Sequence, residues 1–180
     1  MPDDGTALPC ELLYVSPMLL GPGTIIPPGN FGKNILSHTP SQGANGWAVV
    51  RELIFEQVRS RVAPHLPSRL NCCFLFTSVA AALEGGRELS EHVHSPVIYC
   101  AEIVDASQPQ CLGDYDTIKM IDANQYVDSS HRIAIGYWSA AVTGKLREGC
   151  LPELLTASPI RIVREYNPRV PNLLIFPTTA

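Results

Sequence analysis

Sixteen prolines and thirteen glycines make up about a sixth of the 180-residue chain, against a usual ~12%. That punctuation limits the possible folds more than any other feature. Each interior proline costs a helix ~3 kcal/mol, because it lacks the amide proton and its ring collides with the preceding turn. A helical bundle is thereby excluded, and a loop-rich α+β domain of short strands is expected. Domains commonly run to ~100–200 residues, and 46% of these residues are hydrophobic, enough for one core. The expected organisation is a loose leader at 1–9, a single domain over 10–166 and a proline-rich tail over 167–180.

Charge narrows the function classes. The formal net charge is −4, and thirteen basic residues, mostly arginine, form no basic run. That leaves no footprint for general nucleic-acid binding. Arginine in excess of lysine suits fixed, planar contacts to carboxylates or phosphates. No 18-residue apolar run exists, and no charged n-region precedes an apolar stretch, so a soluble chain without membrane partners or a cleaved signal peptide is expected. The six cysteines, at 10, 72, 73, 100, 111 and 150, lack CxxC and zinc-type spacing and sit in apolar company, which suits reduced, buried thiols. His92 and His94 lie two apart but have no third ligand near in sequence, so no metal is expected.

Along the chain, 11–16 reads as a short buried strand stopped by Pro17, and a tiny strand is bracketed by Gly and Pro between 18 and 32. Trp47, Val50, Leu53, Ile54, Val58 and Val62 recur at helical spacing, with Arg51, Glu52 and Glu56 on the other face. A strand is expected at 69–76, and then a short helix at 79–84 capped by Ser78 and stopped by Gly85-Gly86. The segment 97–104 is the strongest strand, being rich in β-branched and aromatic residues. The stretch 105–128 reads as a polar, Asp-bearing loop. Ala134, Tyr137, Trp138 and Ala141 make a helix face ended by Gly144, Pro152 opens a short helix, and 160–165 is a strand.

No GxSxG, HExxH, Walker or GxGxxG signature occurs. The segment Leu13-Tyr14-Val15-Ser16-Pro17-Met18-Leu19-Leu20-Gly21-Pro22-Gly23-Thr24-Ile25-Ile26-Pro27-Pro28-Gly29 resembles the opening of the small rifamycin-modifying bacterial ADP-ribosyltransferases and related domains. Looser agreement continues through Phe74-Leu75-Phe76-Thr77, Ile98 to Ile103 and Ser158 to Val163, covering roughly 12–165. The resemblance implies an α+β split fold in which two small antiparallel sheets clasp NAD⁺ as substrate. It also implies cleavage of the nicotinamide glycosidic bond and transfer of ADP-ribose to an acceptor: a small molecule, a protein or a nucleic acid. A toxin or effector role follows, in the cytoplasm or secreted without a cleaved signal.

Carried across, the family's His-Gly-Thr becomes Tyr14-Val15-Ser16. Tyr14 takes the ribose-hydroxyl role, and Val15 adds bulk where backbone would approach nicotinamide. Stacking falls on Phe74 or Phe76. The carboxylate that answers the developing cation is Asp114, with Asp116 second and Glu102 third. Arg69 is a candidate bidentate donor to the pyrophosphate. The alternative is a degenerate member of the fold that has lost catalysis with its histidine and acts as a protein-binding module.

Overall fold

A computed structural model describes residues 12–37, 44–90, 96–121 and 126–167; the leader, the tail from 168, and His92 and His94 lie outside them. Seven strands form one antiparallel sheet: β1 (Leu12–Ser16), β2 (Ile25–Ile26), β3 (Cys73–Phe76), β4 (Val97–Ile103), β5 (Gln110–Asp114), β6 (Pro152–Thr156) and β7 (Ile160–Glu165), in the order β2-β7-β4-β1-β3-β6-β5. Helices α1 (Asn30–Leu36), α2 (Ala44–Val62), α3 (Val79–Ser90), α4 (Tyr115–Lys119) and α5 (Val127–Thr143) complete an α+β domain, as the proline and glycine content requires.

The sheet is continuous but has a seam. β1 pairs with β4 over five residues, and β3 with β6 over four. Between β1 and β3 only Leu13 opposite Phe76 is in register. Two antiparallel half-sheets, β2-β7-β4-β1 and β3-β6-β5, therefore meet at a single rung.

Alternation then sends neighbouring side chains to opposite faces. One face carries the helices. Phe55, Val58, Tyr137, Trp138 and Leu155 join α2 and α5 to the β3-β6-β5 half, and Leu13, Phe76, Ala81, Ala82 and Cys100 join α3 to β1 and β4. Trp138 is fully buried and donates Nε1 to the Phe55 carbonyl at 2.8 Å. At ~200 Å² of mostly apolar surface, its burial contributes up to ~5 kcal/mol. The opposite face carries a cluster drawn from strands and one loop residue, Ile26, Cys73, Leu75, Tyr99, Ala101, Ile160 and Ile162 with Tyr14 and Leu20 against them. No described helix contributes to it.

Several sequence expectations are revised. Pro152 opens strand β6 and not a helix, since its first position needs no ladder amide. The loop expected at 105–128 holds β5 and α4. The strand expected from 69 begins at Cys73, after a 3-10 turn at Arg69–Asn71. Ser78 does cap α3, its Oγ accepting the Ala81 amide at 3.1 Å, but the helix runs on to Ser90. Gly85 is there for room: a Cβ would lie 2.5 Å from Cζ of Phe76. On α2, Leu53 is exposed while Glu52 is 0% exposed, because Glu52 turns inward to an arginine. Gly144 ends α5 as expected, with φ 67°, a left-handed cap that glycine adopts without steric cost.

Cysteines 72, 73, 111 and 150 are free, whereas Cys100 is disulfide-bonded, which corrects the all-reduced expectation. Thiol titration of the denatured protein is expected to find fewer reactive groups before reduction than after it. Six at the outset would refute the bridge.

Candidate active site

Tyr14 sits in the middle of β1 on the helix-free face, directly opposite Tyr99 of β4 and packed with the cluster that holds Cys73 and Leu75. Burial, and secondarily the neighbouring Cys73, raise its phenol above the ordinary value, so at neutral pH it is an O–H group. Its hydroxyl makes no hydrogen bond to another described residue. Ser16, on the same face and 1% exposed, accepts the Met18 amide at 3.1 Å and turns the chain out of β1. Val15 points the other way, among the residues packed with Val79 and Tyr115. The bulk expected to crowd nicotinamide therefore lies on the helix side.

The aromatic candidates are separated from Tyr14. Because Leu13 pairs with Phe76, Phe76 and Phe74 share the helix-covered face, and Tyr14 is on the other. Phe76 meets Tyr115 edge-on at 5.5 Å, and Phe74 meets Phe31 at 5.1 Å. The β3 residues on the side of Tyr14 are Cys73 and Leu75. A one-residue step in the strand moves a side chain to the opposite face, so the stacking role cannot be joined to Tyr14 through either phenylalanine.

Arg69 is 3% exposed and committed to the interior. Its Nε donates to Glu52 at 2.9 Å, and Nη1 donates to Glu153 at 2.5 Å and to the Tyr137 hydroxyl at 3.1 Å. Its guanidinium lies 4.8 Å from the Phe74 ring centre. Burial works against its charge, but the facing carboxylates Glu153 and Glu52 dominate together and hold it well above the usual range. Burial raises the Glu153 carboxyl, a push that Arg69 opposes. This is a structural network beneath the sheet, and it leaves Arg69 no route to a pyrophosphate on the Tyr14 face.

Asp114 is likewise spent. It caps α4 by accepting from the Asp116 amide at 3.0 Å and from Thr117 Oγ1 at 2.9 Å, and it pairs with Arg147 at 3.0 Å. Asp116 lies 3.6 Å from Lys119 and 3.7 Å from Arg147. Glu102 and Arg161 form a half-exposed pair on adjacent strands. Asp114 stands three strands from Tyr14 in the sheet order, with adjacent strands about 4.8 Å apart.

Sequence reasoning missed Glu52, Glu153, Tyr137 as a network member, and Tyr99. An acidic residue amid the apolar run of α2 and another between Pro152 and Leu154 were the available signals, since carboxylates flanked by core residues are buried only with partners. Among the described residues no group of three His, Cys, Asp or Glu stands close enough to hold a metal ion. No described helix is long and apolar enough to cross a membrane. A shallow groove of about 370 Å³ beside α3 is lined by Val79, Leu83, Val97, Ile98 and Glu165 among others. Its described lining offers no cation to a pyrophosphate.

A family described as "protein of unknown function (DUF2441)" matches residues 33–168. No curated protein matches the chain.

Proposed function

The chain belongs to this DUF2441 family, and we propose that the helix-free face around Tyr14 takes NAD⁺ and transfers its ADP-ribose to an acceptor. The observation that carries the reading is a hydrogen-bond donor beside the seam of the sheet. Two antiparallel half-sheets meet at one rung, and next to that rung stands a protonated phenol whose oxygen is not spent on any other described residue. Such a group can hold a ribose hydroxyl in place. In the reaction, the bond from the anomeric carbon to the nicotinamide nitrogen breaks and its electron pair leaves with neutral nicotinamide. The acceptor's lone pair then closes on the ribosyl cation as its proton passes to solvent.

A covalent enzyme intermediate is not needed, nor is a nucleophile for one prepared. Burial pushes the thiol of Cys73 up to about 11 and that of Cys111 to about 12, and those of Cys72 and Cys150 also rise; the thiolate is the reactive form. The disulfide at Cys100 favours the secreted alternative over the cytoplasmic one, since cytosolic thiol pools keep such bridges reduced.

A second reading, the binding module without catalysis, is favoured by a different observation. Continuing the register from Tyr14 across the seam crosses Leu75, Leu154 and Leu112. That row is apolar, and the carried-over carboxylate Asp114 is tied to α4 and Arg147. Nothing in the row answers the charge of a ribosyl cation.

Labelled NAD⁺, acceptor-bearing lysate and calorimetry separate the two. Wild-type protein is expected to bind NAD⁺ and release nicotinamide. Tyr14→Phe, which keeps the ring and removes one hydrogen bond, is expected to lose roughly tenfold in activity, equivalent to ~1.4 kcal/mol. Binding without release would favour the module, and neither binding nor release would end the enzyme reading. Full activity in Tyr14→Phe would move the site elsewhere.

A further inference from the structure

The chain that leaves β1 runs through the Gly- and Pro-bearing segment 17–24. It forms a strap fastened at three points. At its start, Ser16 Oγ takes the Met18 amide at 3.1 Å. At its end, the Gly23 amide donates to the Ile162 carbonyl at 2.7 Å and the Ile162 amide to Thr24 at 2.9 Å. Between them the hydroxyl of Tyr99 accepts the Leu20 amide at 2.9 Å and donates to the Met18 carbonyl at 3.4 Å. Tyr99 is 1% exposed, and among the described residues these two bonds are the only ones its hydroxyl makes, in an otherwise apolar cluster. Burying a hydroxyl is costly unless it is paired.

The middle fastening is the one that matters for the Tyr14 face. Tyr99 lies directly opposite Tyr14 in the β1–β4 ladder, so the two rings stand side by side with Cβ atoms about 5 Å apart. Leu20, the residue whose amide Tyr99 holds, packs into the same cluster as Tyr14. Met18 and Leu19 ride outside at 64% and 84% exposure. The strap thus places one apolar side chain against the helix-free face and hangs it from a tyrosine on the sheet.

We infer that Tyr99 is a positioning residue, which holds the 17–24 strap through the Leu20 amide so that Leu20 walls the nucleotide site beside Tyr14. This rests on the NAD⁺ reading above. Its effect falls on the binding of NAD⁺ and not on the bond-breaking step, because the strap reaches the site through Leu20, a side chain with no acid, base or charge to offer.

The test is Tyr99→Phe in the full chain, which keeps the buried ring and removes the hydroxyl. Amide exchange at Leu20 is expected to quicken about tenfold, while exchange at Tyr14 and Ile98 within the ladder stays unchanged. The KM for NAD⁺ is expected to rise about fivefold with kcat within twofold, and Leu20→Ala is expected to show the same KM rise without faster exchange at Ile162. Unchanged exchange at Leu20 would overturn the anchor. Faster exchange with an unaltered KM, or a fall in kcat alone, would overturn the positioning role. Wild-type protein that neither binds nor cleaves NAD⁺ would overturn the functional reading and the nucleotide half of this inference, whereas the exchange experiment decides the anchor by itself.

Discussion

Arg69→Met is expected to destabilise the fold by roughly 3–5 kcal/mol, the range for removing one partner from a buried ion pair. Glu52 and Glu153, 0% and 1% exposed, would lose the guanidinium they share, leaving Glu153 with the Tyr137 hydroxyl and Glu52 with only Arg51 Nε at 3.4 Å. For a domain whose whole stability is about 5–15 kcal/mol, that is a large share, measurable as a fall in the urea midpoint. Arg69→Lys should recover only part of it, because an ammonium cannot span Glu52, Glu153 and Tyr137 with a planar fork.

The sign of its pH dependence follows from Glu153. Burial raises that carboxyl, and Arg69 is what pulls it back. In Arg69→Met the pull is gone, so the folded state favours the protonated acid more strongly. The deficit should be fully present at neutral pH and shrink as acid protonates Glu153. A variant as stable as wild type but weaker in NAD⁺ binding would instead return Arg69 to the pyrophosphate role.

Gly113→Ala is expected to cost about 1–3 kcal/mol, and by mechanism more than any surface change. A Cβ on Gly113 would fall on the Tyr137 hydroxyl and lie 2.5 Å from Cζ. Tyr137 cannot step aside, since its hydroxyl donates to Glu153 at 2.9 Å and its ring packs edge-on against Trp138. At roughly 2–4 °C per kcal/mol for a chain of this size, the melting temperature should drop by several degrees. In a Tyr137→Phe background the added loss should be smaller, because the nearest clashing atom is gone. An additive pair would show that the clash is not with Tyr137.

Gly113 admits a buried ring. Arg69 suggested a phosphate clamp, and it proves to neutralise two buried acids. The residue types were right for close, planar, charge-assisted contacts. Their partners lay 17 and 84 positions away from Arg69, a separation that no local pattern reports.

The local features were legible where the physics is local. The serine before α3 caps it, Gly144 ends α5, and the β-branched run at 97–103 is a strand. Periodicity found α2 but misplaced its face by one position. The pattern counts apolar residues, and it could not foresee that an internal arginine would draw Glu52 inward and leave Leu53 in water. Pro152 and the segment 105–128 were misread for a related reason: β5 and β6 pair with each other over five residues, and a strand made stable by its neighbour need not look like one alone.

By itself, the sequence determined the class of fold. Proline and glycine divide the chain into separate elements, the apolar content supplies a core, and the opening strand runs into a Gly/Pro segment that must turn. Only the tertiary structure decided which side chains share a surface. A strand alternates its faces at every residue, so the single rung of Leu13 with Phe76 places both phenylalanines under the helices and leaves Tyr14 beside Tyr99, Cys73 and Leu75. Which of two faces a residue occupies depends on a register between segments sixty residues apart, and that is fixed by packing.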